Sequence, residues 1–122
     1  MSKKKIPFDF VIDRLFAASP VVRPMFGAFG IYVGPKIYLA LRQKEEHTED
    51  NGVWVSTLHE HHDGLKALMP SLRQVQVLGG NSAWLIVPED HPDFETHANM
   101  ICDLILRNDP RLGSVPKKKK KK

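Results

Sequence analysis

RPMFGAFGIYVGPK, Arg23 to Lys36, sets three glycines among two phenylalanines, a tyrosine and two prolines. Gly27 and Gly30 sit three apart, each directly after a phenylalanine, Gly27 between two β-rich runs, Val21 to Met25 and Phe29 to Val33, and Gly30 inside the second. A glycine inside such a run marks a bulge or a close backbone approach. The stretch supports two readings. In one, a bulge keeps the register of a strongly bent strand that packs under a helix. In the other, Phe26, Phe29 and Tyr32 line a concave contact surface with Arg23 at its rim, and Met25, Gly27 and Gly30 complete it. Gly34-Pro35 is ordinary turn chemistry.

Upstream, Phe8, Val11, Ile12, Leu15 and Phe16 recur at the spacing of an amphipathic helix. Pro7 suits its first position, and Ser19-Pro20 ends it. Downstream, Ile37 to Arg42 and Val53 to Ser56 predict strands, and Gln43 to Gly52 a long acidic loop. A short helix over His59 to Met69 precedes a hairpin of Val75 to Leu78 and Ala83 to Val87, turned at Gly79-Gly80-Asn81-Ser82. Pro92 opens a last helix with Phe94, Ala98, Ile101 and Ile105 as its apolar stripe, stopped at Asn108-Asp109-Pro110. That order predicts an α+β fold: an antiparallel meander sheet with an N-terminal and a C-terminal amphipathic helix packed against it. Phe8, Ile12, Phe16, Phe94, Ala98, Ile101 and Ile105 are the expected buried residues of the two helices.

The 122 residues suit a single domain over 6–114, between a basic N-terminus at 1–5 and a lysine tail at 115–122, both expected to be disordered. The formal charge of +4 misleads, because Lys3, Lys4, Lys5 and the six lysines from 117 carry half of the 18 basic residues. Between them lie nine basic and fourteen acidic residues, a balance of −5. The high pI is therefore a property of the tails. A single cysteine, Cys102, leaves no internal disulfide to form and fits a reducing compartment. No apolar stretch approaches the length of a membrane span, and no apolar run follows Lys3 to Lys5 as in a signal peptide. A cytoplasmic, non-membrane protein is expected.

Motifs that carry chemistry are scarce. His59-Glu60-His61-His62-Asp63 lacks the second histidine four positions on that a helical zinc site needs, so a solvated helix start is expected and no metal. His97 edges an apolar stripe and fits a satisfied, partly buried histidine. Gly80-Asn81-Ser82-Ala83-Trp84 ends in tryptophan where a nucleophile elbow needs glycine. Cys102 falls on the buried side of the last helix, where it acts as a small hydrophobe. Glu45, Glu46, Glu49 and Asp50 form a solvated acidic run rather than buried acids. No catalytic residue and no cofactor is expected.

Pro24-Met25-Phe26-Gly27, Gly30-Ile31-Tyr32-Val33 and Lys36-Ile37-Tyr38-Leu39-Ala40-Leu41 resemble the N-terminal domain of TfoX/Sxy proteins and the related YjbR-like group. That family shows Met-Phe-Gly-Gly, a glycine-aromatic strand and Gly-Lys-x-Phe-Ala, after an amphipathic helix. The likeness covers Phe8 to Val55 and weakens beyond, with Asp109-Pro110-Arg111-Leu112-Gly113 similar to the family's Arg-x-Gly ends. Departures are Ala28 at the second glycine, Gly34-Pro35-Lys36 at the Gly-Lys turn, and Val53-Trp54-Val55-Ser56 without the family's lysine. The acidic loop is also longer. No helix-hairpin-helix-like domain follows. The resemblance implies a small α+β fold and a regulatory link to DNA-uptake competence, and it supplies no catalytic residues.

Three functions are expected, in this order. The first is a non-enzymatic regulatory or adaptor module, monomer or homodimer, that contacts a protein through the glycine-aromatic strand. The second is a sequence-independent nucleic-acid binder using Lys117, Lys118, Lys119, Lys120, Lys121 and Lys122. The third is a small-ligand-binding domain with its pocket near Phe26 and Tyr32.

Overall fold

The computed structural model describes residues 6–25, 27–79 and 82–115. Six strands form one antiparallel sheet: β1 (Val21–Met25), β2 (Ala28–Val33), β3 (Lys36–Arg42), β4 (Gly52–Val55), β5 (Arg73–Gln74) and β6 (Leu85–Pro88). Their spatial order is β1-β2-β3-β4-β6-β5. The first four make a meander. The chain then crosses through α2 (His62–Leu68) to the far edge before β6 returns beside β4. The α+β architecture expected from the sequence is the architecture found.

Helices α1 (Phe10–Arg14), α2 and α3 (Phe94–Leu106) cover one face. Alternation along each strand sends every second side chain to that face. Ile31, Leu39, Leu41, Val53, Val55, Leu85 and Val87 meet Val11 and Leu15 of α1, Leu65 of α2, and Ala98, Ile101, Cys102 and Ile105 of α3. Phe8 and Phe10 stack on Phe94, with ring centroids 5.1 and 6.2 Å apart. The Arg14–Asp103 ion pair joining α1 to α3 is half exposed and contributes little.

One expected core residue is not there. Phe16 is 80% exposed, because α1 stops at Arg14 and the chain tightens into a 3-10 turn at Phe16–Ala18. Leu15 takes the inward position instead. Nor does Pro7 open the helix: Phe8 sits at φ +55°, outside helical geometry, and α1 begins after it.

The strand expected at 75–78 is also displaced. β5 is only Arg73–Gln74, and the backbone amides of Gln76 and Val77 leave the ladder to bond the Asp50 carboxylate at 2.9 and 2.7 Å. Gly80 and Asn81 of the expected turn lie outside the described residues.

The segment after α3 straps the sheet. Asn108, at φ +61°, turns the chain as helix-ending residues do, and Leu112 enters the core. Ser114 pairs with Ile37 at the start of β3, and the Thr57 hydroxyl donates to the Arg111 carbonyl at 2.6 Å. Asp109 accepts from the backbone and guanidinium of Arg111 at 2.8–2.9 Å. The Arg111 hydrogen bonds hold its carboxyl down at about 2, against an ordinary 3.8. A depressed carboxylate stabilises the fold above its unfolded pKa, and that contribution disappears as pH falls through the folded value. Acid titration of stability should therefore show a loss between pH 3.8 and about 2. Asp109→Asn is expected to flatten that limb in unfolding curves recorded across the same window, and an unchanged limb would show that the strap carries no such linkage.

Candidate functional site

On the face without helices, the ladder places Arg23, Gly30, Ala40, Trp54, Ile86 and Arg73 in one row across six strands. Gly30 and Ala40 leave a low floor in its middle. A Cβ on Gly30 would stand 2.7 Å from the Met25 sulfur and 3.3 Å from both Ile37 Cδ1 and Tyr32 Cε1. Gly30 is thus small so that three side chains fold over it. Gly27, at φ +78°, turns the β1–β2 hairpin, and a Cβ there would meet the Lys44 ammonium at 2.7 Å. The bulge expected at these glycines lies beside them: the register slips between Ile31 and Tyr32, against Leu39 and Ile37, so that Tyr38 of β3 is the extra residue.

Of the seven residues expected to form one contact surface, the six described divide between two faces. Arg23, Met25, Gly30 and Tyr32 share the helix-free side, and the Arg23 guanidinium lies 5.7 Å from the Tyr32 ring centroid. Phe29 points the other way, against the core. Residues 29 and 32 differ by an odd number, so a strand cannot present both on one side. Gly27 and Phe29 line a separate cleft of about 520 Å³ with Pro7, Pro24, Leu41 and Lys44. Phe26 and the lysines at 117–122 lie outside the described residues.

Beside Met25 the helix-free face sinks into a pocket of about 250 Å³, walled by Trp54, Trp84, Val77 and Leu78 and rimmed by Arg42, Lys44, Glu46 and His47. The two indoles meet edge to face at 6.0 Å. A small second core of Ala40, Trp54, Val75 and Ile86 underlies them.

Its walls are held by polar groups, among them Asp50, which the sequence placed in a solvated run. Asp50 is fully buried. It ends a 3-10 turn, Thr48–Asp50, and accepts from Gln76 N, Val77 N and Arg73 Nη1. Its carbonyl accepts the Trp54 indole N–H at 2.9 Å. Arg73 Nη2 also donates to the Glu49 carbonyl. Arg42, 5% exposed, donates to the carbonyls of His47 and Glu46 and to Asn51 Oδ1 at 2.8–3.0 Å. Asn51 closes the loop on both backbone groups of Lys44 at 2.8 Å. The acidic loop is therefore a built element, and Asp50 corrects the expectation of a solvated run. The partners of Asp50, 26 and 27 residues on, were not legible in the sequence.

Groups able to do chemistry elsewhere are engaged by the fold. His62 is 8% exposed, and its Nε2 lies 2.8 Å from the Ala83 carbonyl, so it is no part of a solvated helix start. The His97 ring meets the Ser71 hydroxyl at 2.7 Å, as a satisfied buried histidine does. The Ser82 hydroxyl accepts the Trp84 amide. Among the described residues no three metal-ligating side chains converge, and no helix is long and apolar enough to cross a membrane. Burial pushes the Cys102 thiol up to about 12. A thiol so protonated reacts slowly with alkylating agents. Iodoacetamide at pH 8 should leave the native protein unmodified and label it fully in denaturant, as read by intact mass; rapid native labelling would contradict the buried placement.

Comparison with family models, with characterised proteins and with solved structures finds no match to this chain.

Proposed function

We propose that this chain is a regulatory or adaptor module of the TfoX N-terminal-like kind, acting on a partner protein through the helix-free face of its sheet. The observation that carries this proposal is the surface chemistry of that face. Val21, Val77 and Leu78 are 48%, 38% and 51% exposed, and Arg23, on the same strand as Val21, lies over the Tyr32 ring. Apolar groups beside an aromatic-supported arginine are the anchors of protein interfaces. The strand edge is less suited to contact. Pro24 removes a backbone donor from the middle of β1, which blunts edge-to-edge pairing. The engagement of Cys102, His62, His97 and Ser82 in the fold supports binding over turnover.

A second proposal rests on charge. The lysine tail opposes a body of −5 and suits nucleic-acid phosphates irrespective of sequence. Capture from native lysate by the full chain and by a chain lacking residues 115–122 separates the two. Protein partners retained by both forms support the first proposal. Nucleic acid held by the full chain alone, with a log-affinity against log-salt slope of roughly −4 to −5 for about six phosphates, supports the second.

A further inference from the structure

Arg42 stands apart among the charges of this protein. It is 5% exposed, yet all three of its hydrogen bonds go to neutral acceptors, two backbone carbonyls and the Asn51 amide oxygen. Among the described residues no carboxylate lies within ion-pair distance of it. The other arginine near the pocket, Arg73, is paired with Asp50 at 3.2 Å, and Lys44 at the rim is paired with Glu46 at 3.6 Å. A buried cation balanced only by dipoles keeps its charge uncompensated. The Nε of Arg42 also has no acceptor among the described residues. Arg42 lines the pocket of Met25, Trp54, Trp84, Val77 and Leu78.

We infer that this pocket binds a small organic carboxylate with a compact aromatic or branched apolar body. The carboxylate faces Arg42, and the body lies against the two indoles and Met25. The volume of about 250 Å³ is small for a ligand site, since sites for drug-sized molecules run from roughly 300 to 1,000 Å³. It admits one ring with a short acidic arm. A cationic ligand would also find aromatic faces here. It would, however, sit beside an uncompensated guanidinium, with the one acid lining the pocket, Glu46, already drawn to Lys44. Charge therefore selects the anion. This inference rests on the pocket itself and holds whether or not a protein partner covers the surrounding face.

Both tryptophans of the chain line the pocket, so intrinsic fluorescence reports on its occupancy directly. The probes are 3-phenylpropanoate, its amide, and 3-phenylpropylammonium, titrated into the full chain. The acid is expected to shift the emission with a Kd of about 1 mM or tighter, ordinary for a ligand of that size. The amide is expected to bind about tenfold more weakly, the loss of one charge-assisted contact. Leu78→Glu sets a carboxylate at the pocket wall on a half-exposed residue, which leaves the core unaltered. That variant should weaken the acid about tenfold more than it weakens the amide. Equal binding of acid and amide overturns the inference. So does preference for the ammonium, insensitivity to Leu78→Glu, or no response by about 10 mM, beyond the range expected for a filled site of this size.

Discussion

Asp50→Ala is expected to lower the free energy of unfolding by about 3–5 kcal/mol, the range for removing one partner of a buried, hydrogen-bonded charge. The side chain is fully buried and takes bonds from two backbone amides and a guanidinium. Alanine leaves Gln76 N and Val77 N without acceptors and strands Arg73 beside them. Unpaired buried donors lose the water they had in the unfolded chain and gain nothing in return. The segment at 75–79 should then detach from the 43–51 loop, opening the pocket over Trp54. Urea unfolding measures the change. Glu49→Ala, one residue away with its side chain half exposed, serves as the control and should stay within about 0.5 kcal/mol. Equal effects at the two positions would contradict the assigned role of Asp50.

Trp54→Ala is the second large change, expected to destabilise by about 3–5 kcal/mol. Trp54 is 7% exposed, packs with Ala40, Val75 and Ile86, and donates its indole N–H to the Asp50 carbonyl. Its removal empties the centre of the second core, which has few residues with which to collapse. Trp84 meets it edge to face but is only partly buried, so Trp84→Ala should be the milder variant by urea unfolding. The reverse order would place the second core elsewhere.

Local patterning made most of the framework legible. The alternation of β2 and β3, the punctuation at Gly34-Pro35, and the stripe of Ala98, Ile101 and Ile105 are short-range signals, and each appears where its period puts it. Phe16 was misplaced because a helical period cannot show where α1 gives way to a 3-10 turn. The surface of the glycine-aromatic strand was half legible. Arg23, Met25, Gly30 and Tyr32 share a face, whereas Phe29 belongs to the opposite one once the ladder fixes which residues point inward. The sequence suggested a pocket near Phe26 and Tyr32; Tyr32 does not line the pocket beside Met25, and Phe26 lies outside the described residues. Asp50 reads as part of a solvated acidic run, and what closes over it is a segment beginning more than twenty residues later. Long-range polar closure of this kind leaves no periodic trace.

The most direct test of the helix-free face is quantitative capture by the full chain and two charge-reversed variants. Val21→Glu with Arg23→Glu alters only exposed side chains of β1, on the face in question. Arg107→Glu reverses an exposed charge at the end of α3, on the covered side. A partner held by the wild type should be held equally by the Arg107 variant and lost, by about tenfold or more in affinity, from the Val21/Arg23 variant. Retention by the β1 variant at wild-type affinity would contradict the proposal and move the working surface elsewhere.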